Sequence, residues 1–448
     1  MCSSDLAATR AGARDDVGQA PGAVSSPSAQ AETERVSGYA WRLLLFLTAL
    51  NVLNFVDRTL IASLGPLLID DLGLTKTQIG FLAGFGFVFF YSLVGIFLGL
   101  AADRWRRIPL VAVGVTLWSA MTALSGMAKS FVQLALPRIF VGVGEATLTP
   151  SALSMLGDAF PRRRLAMASG VYYAGIPLGT AVGMIASSWI APRWGWRACF
   201  YALGVVGVVA AGLLLLVREP ARRGATAGAA HPTARQFVAD VARSLKQRRE
   251  LVLLLLGGSL LCYGAGAALL IITWLATERG IPFARAAFTA GVIGIFAGFS
   301  GNLAGGAFGD WCARRWTNGH LWSLAILSLA FAASGALFYS LPVGTVPFYV
   351  FWFATAALTS GWFGPLFAAI QELAPAHTRS TFIAFALLVL NLLGVGPGPL
   401  ITGRLGDVRG LTFGLLTSAA VVAVAVVPFA IAARGRRGEP VAVVAAVD

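Results

Sequence analysis

The chain has 448 residues, 57% of them hydrophobic and only 12% charged, with a mean hydropathy of +0.77. Soluble domains carry about a quarter charged residues, so this balance excludes an ordinary globular protein and points to an integral membrane protein. The net charge of +14 reads as membrane topology rather than as a nucleic-acid surface, because Lys and Arg collect on the cytoplasmic side of membrane proteins.

Residues 1–37, rich in Ala, Ser, Gly and Thr, contain no apolar core of signal-peptide length and are expected to form a disordered cytoplasmic tail. Apolar segments of about 20 residues then recur, each able to cross a hydrocarbon core of roughly 30 Å as a helix. Twelve are predicted, at 41–63, 78–102, 108–128, 131–156, 165–190, 198–217, 251–275, 286–309, 321–341, 345–370, 381–401 and 412–433. Six belong to a first bundle over 38–220 and six to a second over 250–434, joined by a basic cytoplasmic connector at 221–249 and followed by a cytoplasmic tail at 435–448. The clusters Arg104, Arg106 and Arg107, Arg162 to Arg164, Arg314 and Arg315, and Arg434 to Arg437 fall on one side of this arrangement, which makes both termini cytoplasmic.

The two bundles carry matching punctuation. Gly99 to Arg107 ends the second segment with Gly, Asp103 and arginines, and Gly305 to Arg315 ends the eighth with Gly, Asp310 and arginines. Asp158 and Pro161 after the fourth segment answer Glu372 and Pro375 after the tenth, and Glu219-Pro220 answers Glu439-Pro440. An internal duplication follows, of the kind that builds transporters from repeated halves. Without a hydrophobic drive in lipid, small residues mark where helices approach. The glycines of the second and eighth segments, and those of the fifth and eleventh around Pro177, Pro397 and Pro399, are therefore expected to face each other as pairs across the halves.

The Gly-x-x-x-Asp-Arg-x-x-Arg run at Gly99 to Arg107, with its weaker copy at Gly305 to Arg315, resembles the loop signature of the major facilitator superfamily, with Arg106 standing where that family usually has Gly. The resemblance covers about residues 40 to 434 and implies twelve transmembrane helices in two pseudo-symmetric six-helix bundles. Asn51 to Arg58, Arg138 to Ala146 and Asp158-Ala159-Phe160-Pro161 are similar to the spinster group of that superfamily. That likeness implies proton-linked movement of an amphiphilic lipid such as a lysophospholipid or sphingosine phosphate. Organic-anion:proton symporters share part of the same pattern, so a sugar-acid symporter stays open as an alternative, as does a drug/proton antiporter.

Four ionisable residues lie inside apolar segments: Asp57 and Arg58 in the first, Arg138 and Glu145 in the fourth. A charge near the bilayer centre costs about 2.5–3.5 kcal/mol on the lenient scales, so these must pair, face water or serve a pathway. Arg138 and Glu145 are two turns apart on one helical face, and Asp57 reaches the depth of Arg138. The expectation is that Arg138 pairs with Asp57 in one state and that protonation frees the guanidinium for an anionic head group, with Glu145 as a further proton stop. Proton coupling is thus assigned to Asp57, Glu145 and Arg138. Substrate contacts are assigned to Arg138, Arg58, Asn54 and Asn51 in the first half, and to Tyr263, Asn302, Thr359, Trp362 and Asn391 in the second. Asp103, Arg104, Arg107, Asp310 and Arg314 are expected to latch the cytoplasmic side, Asp103 with Arg107 or with the eleventh helix.

No Ser/His/Asp set, phosphate loop or metal-ligand spacing is present, so neither an enzyme nor a cofactor or metal is predicted, and the four cysteines show no framework. The expected protein is a monomeric transporter of a bacterial-type inner membrane whose partners are its substrate, protons and membrane lipids, not nucleic acid.

Overall fold

The computed structural model describes residues 36–222, 234–374 and 379–435; the predicted tails lie almost wholly outside them, as do part of the connector, His231 and His377. Every regular element among the described residues is a helix. The first span is Gly38–Leu72, the second runs through Lys76–Gly80, Phe81–Phe85 and Gly86–Arg104, the third is Arg107–Ser125, and the fourth joins Phe131–Glu145 to Leu148–Ala159. Arg162–Tyr173 and Gly175–Leu215 supply the fifth and sixth. After a connector helix, Ala234–Gln247, the seventh is Arg249–Thr277, the eighth Phe283–Arg315, the ninth Gly319–Ser340, the tenth Val346–Leu373, the eleventh runs through Arg379–Leu390, Asn391–Val395 and Pro397–Arg409, and the twelfth is Leu411–Gly435.

Eleven helices are long and apolar enough to span a bilayer among the described residues, one fewer than the twelve segments predicted. The difference is local: the fifth and sixth spans run on as one helix broken at Gly195, whose φ of 80° is non-helical and turns the chain back. Several helices exceed their predicted lengths because hydropathy sees only the apolar middle. The first continues past Pro66 to Leu72 before Gly73 ends it with a φ of 61°. Starts carry their own caps: Ser37 accepts from Ala40 N–H at 3.1 Å, and Thr75 and Gln78 form a reciprocal capping box.

Three apolar clusters define the shape. One joins the halves, with Leu60, Leu64 and Leu82 packed together with Leu270, Trp274 and Leu411. The other two have separate centres, one around Leu47, Trp118 and Leu156 in the first half and one around Leu261, Trp362 and Phe429 in the second, with Val395 of the eleventh span touching both. The shared cluster lies at the end that carries the turns between the first and second, seventh and eighth, and eleventh and twelfth spans. The protein is therefore closed at that end and divided at the end from which the described chain starts.

Polar clasps complete the closure. Asp407 accepts from Lys76 N–H at 2.8 Å and Thr77 N–H at 2.9 Å, so a carboxylate of the eleventh span caps the second. Lys76 Nζ meets Glu278 at 2.9 Å, and Glu278 in turn accepts from the N–H groups of Leu411 and Thr412 at the start of the twelfth span.

The glycine faces pair differently from the sequence expectation. A Cβ on Gly80 would stand 2.1 Å from the carbonyl oxygen of Pro399, so the second span meets the eleventh, and Gly291 and Gly298 set the eighth span against Ile185 and Pro177 of the fifth. Gly301, Gly305 and Gly309 pack on the tenth span inside their own half, against Ala357, Gly361 and Pro365. Similar glycine content identified helices that approach something closely; it carried no information about which neighbour each one meets. The irregular geometry also falls elsewhere than the prolines alone imply, in π-helical turns at Phe81–Phe85 and Asn391–Val395 on the two spans that meet.

Candidate functional site

Asp57 sits between Leu50, which belongs to the first-half cluster, and Leu60, which belongs to the shared one. Arg138 likewise lies between Leu134 of the shared cluster and Val141 of the first-half cluster. Both thus lie at the depth where the shared cluster gives way to the first-half one, and they pair: Arg138 Nη1 is 2.7 Å from Asp57 Oδ1, with side chains 3% and 1% exposed. Arg138 Nη2 also donates to the carbonyls of Asp57 and Arg58 at 3.2 and 3.1 Å, which locks the guanidinium on the first span.

A second pair runs beside it with the charges reversed. Arg58 Nε is 2.7 Å from Glu145 Oε2, the carboxylate fully buried and the arginine side chain 21% exposed. The fourth span therefore presents a cation and an anion two turns apart, and the first span answers with an anion and a cation at successive positions. Phe87 of the second span lies between the two cations, 5.0 Å from Arg58 and 4.9 Å from Arg138, while Tyr91 and Phe55 flank Arg58 at 4.1 and 4.8 Å. Cations over ring faces gain about 0.5–2 kcal/mol when desolvated. Buried pairs hold only with good geometry and satisfied hydrogen bonds, and this quartet meets that condition except at two atoms: Glu145 Oε1 and Arg138 Nε find no protein partner among the described residues.

The other predicted contacts separate. Asn51 donates to the carbonyl of Tyr172 at 2.8 Å and ties the first span to the fifth, whereas Asn54 is buried with its amide nitrogen unpartnered. Tyr263 is buried, between Cys262 of the second-half cluster and Ala267 of the shared one. Asn302 is exposed, on the helical face that Gly298 presents to the fifth span. Thr359 is half-buried and bonds its own helix at Thr355 O, 2.8 Å away, and Trp362 is fully buried with its ring stacked on Phe363 at 4.0 Å. Asn391 opens the π-turn of the eleventh span, where its carbonyl accepts from Gly396 N–H at 2.8 Å.

Of the residues assigned to the latch, the side chains of Asp103 and Arg104 lie outside the described residues. Arg107 is completely buried and bonds Asp158, Ser154 at 3.0 Å, Glu219 at 3.1 Å and the Pro220 carbonyl at 2.9 Å, all in its own half. Burial pushes the Glu219 carboxyl up, but the Arg107 backbone and guanidinium bonds and the Ile108 N–H outweigh it and hold the group below the ordinary carboxylate range. Asp310 is exposed and 3.7 Å from His320 Nε2, and Arg314 is exposed. Two contributors escaped the sequence reading: Thr122 of the third span, buried and hydrogen-bonded to Asp57 Oδ2, and the Lys76–Glu278–Asp407 clasp. A threonine in an apolar helix and charges beside short turns gave no signal that set them apart.

The family model described as Major Facilitator Superfamily matches residues 47–399. The chain belongs to the Major Facilitator Superfamily. As a member of this superfamily it is a transmembrane transporter and not an enzyme. It is 30% identical to an MFS-type efflux pump of Mycolicibacterium smegmatis over 392 residues, 86% of this chain and 89% of that protein. It is 27% identical to Protein spinster of Drosophila melanogaster over 400 residues, 86% of this chain and 65% of that one. Among solved structures, a bacterial homolog of the human lysosomal transporter Spinster, inward-facing and occupied, superposes with a TM-score of 0.78 at 23% identity over 89% of this chain and 97% of the other. The superfamily fold accounts for the two halves, and the spinster resemblance stated from the sequence motifs stands.

Proposed function

We propose that this superfamily member is a proton-coupled, alternating-access transporter that moves an amphiphilic anionic lipid, such as a lysophospholipid or sphingosine phosphate, across a bacterial-type inner membrane, acting as a monomer with both termini cytoplasmic. With that orientation the divided end opens to the cytoplasm. The observation that carries the reading is the doubled ion pair buried at the depth where the closed end begins, Asp57–Arg138 and Arg58–Glu145. Taking a proton weakens either acid's hold on its arginine, and an arginine keeps its charge at any working pH. Arg58 is the more exposed cation, so an anionic head group would replace Glu145 on it while a proton replaces the arginine on Glu145. Anion and proton are then bound together, which is the condition for coupling them.

The test is a proteoliposome screen of lysophospholipids, sphingoid phosphates and hexuronates under an imposed pH gradient, repeated with Asp57→Asn, Glu145→Gln and Arg138→Ala. Unaltered proton coupling in all three variants would end the proposal. A second reading, export of drug-like compounds in exchange for protons, is favoured by the likeness to the efflux pump over most of both chains. The same screen with lipophilic cations added separates the two.

A further inference from the structure

The two buried acids are partnered differently. Both Asp57 oxygens have a donor, Arg138 Nη1 on Oδ1 at 2.7 Å and the Thr122 hydroxyl on Oδ2, whereas Glu145 has Arg58 on Oε2 and nothing on Oε1. A guanidinium has donors and no acceptor, so a proton arriving on Oδ1 would meet another donor. A hydroxyl can turn round. It donates to a carboxylate and accepts from a carboxylic acid, provided its own proton finds a second acceptor. The third span offers one: Thr116 and Ser125 of the same helix already donate to the carbonyls four residues back, Ala112 at 2.8 Å and Met121 at 2.9 Å, so the equivalent turn for Thr122 leads to the carbonyl of Trp118.

We propose that Thr122, which is 1% exposed, is a positioning residue for the proton step: it makes Oδ2 the oxygen of Asp57 that takes the proton, reverses its hydrogen bond as the proton arrives, and leaves Arg138 on Oδ1. Both Asp57 oxygens and the Thr122 hydroxyl keep a partner in either protonation state, so the step leaves none of these three buried atoms orphaned in a site closed to bulk water. Losing the proton restores the charge-assisted bond from Thr122, and gaining it weakens the hold of Asp57 on Arg138. The inference rests on the reading of Asp57 as a titrating group.

The experiment needs no substrate. Infrared titration of the full-length protein in lipid nanodiscs between about pH 4 and 9 follows the carboxylic C=O band that disappears in Asp57→Asn. In Thr122→Val, which keeps the shape and removes the hydroxyl, the midpoint is expected to rise by about one pH unit, because the charged form loses a charge-assisted donor. The band should also move to higher wavenumber as the acid loses its acceptor. Thr122→Ser, which keeps the hydroxyl, should keep both near the parent. If Val lowers insertion, Thr122→Ala carries the same expectation. A parent-like midpoint and band in the hydroxyl-free variants, or equal shifts in Ser and Val, overturns the role of Thr122. Absence of any band removed by Asp57→Asn overturns the titration of Asp57 itself, a separate result.

Discussion

Arg107 and His320 hold corresponding places in the two halves: each stands at the start of its half's third span and reaches the carboxylate that ends the next one, Asp158 for Arg107 and Glu372 for His320. The surroundings differ. Arg107 is buried with three further hydrogen bonds, while His320 meets Glu372 at 2.7 Å and Asp310 at 3.7 Å, carboxylates that are 48% and 68% exposed.

Truncating these two residues should therefore have unequal effects. Arg107→Ala leaves Asp158 and Glu219 without their buried cation and should cost about 3–5 kcal/mol of stability. His320→Ala removes an interaction with water-exposed carboxylates and should cost at most about 1 kcal/mol. Thermal unfolding in detergent, read by the reactivity of buried Cys199 and Cys262, compares them. Equal melting temperatures would show that the second-half cluster is as strongly built as the first.

The same cluster gives a pH dependence with a definite sign. Glu219 is held below its ordinary value, so the unfolded chain binds its proton first as pH falls and the folded state loses the benefit. The contribution is complete above the unfolded value of about 4.3 and disappears as pH drops through the lower folded value. In melts between about pH 3 and 6, the wild type should approach Glu219→Gln at the acid end. A gap that stays constant across the range would exclude the linkage.

The quartet was legible in the sequence because a charge inside an apolar helix is an anomaly that must be resolved, and Asp57 with Arg138 was the pair the depths allowed. That Glu145 has its own arginine was not legible, since helical spacing fixes faces but not which acid meets which base. Duplicated punctuation gave the two halves. The glycine partners stayed hidden because a small residue records a close approach and not its neighbour, and Gly195 escaped notice because an apolar stretch continues on both sides of it. The clasp was unreadable for another reason. Asp407 acts by capping a helix more than three hundred residues away, and nothing local distinguishes it from any other charge beside a turn.

Two glycines separate closure from stability. A Cβ on Gly80 would meet Pro399 O at 2.1 Å across the halves, and one on Gly305 would meet Gly361 O at 1.9 Å within a half. Overpacking costs about 1–3 kcal/mol. Gly80→Ala should therefore shift the population away from the closed end by roughly tenfold, read as a longer spin-label distance between exposed Val132 and Val346. Gly305→Ala should lower the melting temperature and leave that distance alone. Lengthening in Gly305→Ala but not in Gly80→Ala would reverse the assignment.

On the proposed function, which arginine meets the substrate follows from their different commitments. Arg138 spends its bonds on Asp57 and two first-span carbonyls and is 3% exposed, whereas Arg58 is held by the side chains of Glu145 and Tyr91, lies against three rings and is 21% exposed. Lysine keeps the charge and loses both the fork and the flat face. Arg58→Lys should accordingly weaken head-group binding, raising KM about 10-fold or more with kcat less affected, a loss of about 1.4 kcal/mol. Arg138→Lys should lower kcat with KM less changed, because it disturbs the lock between spans rather than the contact with cargo. Initial-rate measurements on the amphiphile selected by the liposome screen read both constants. The opposite split, with KM following Arg138, would move the anion site from Arg58 to the deeper pair.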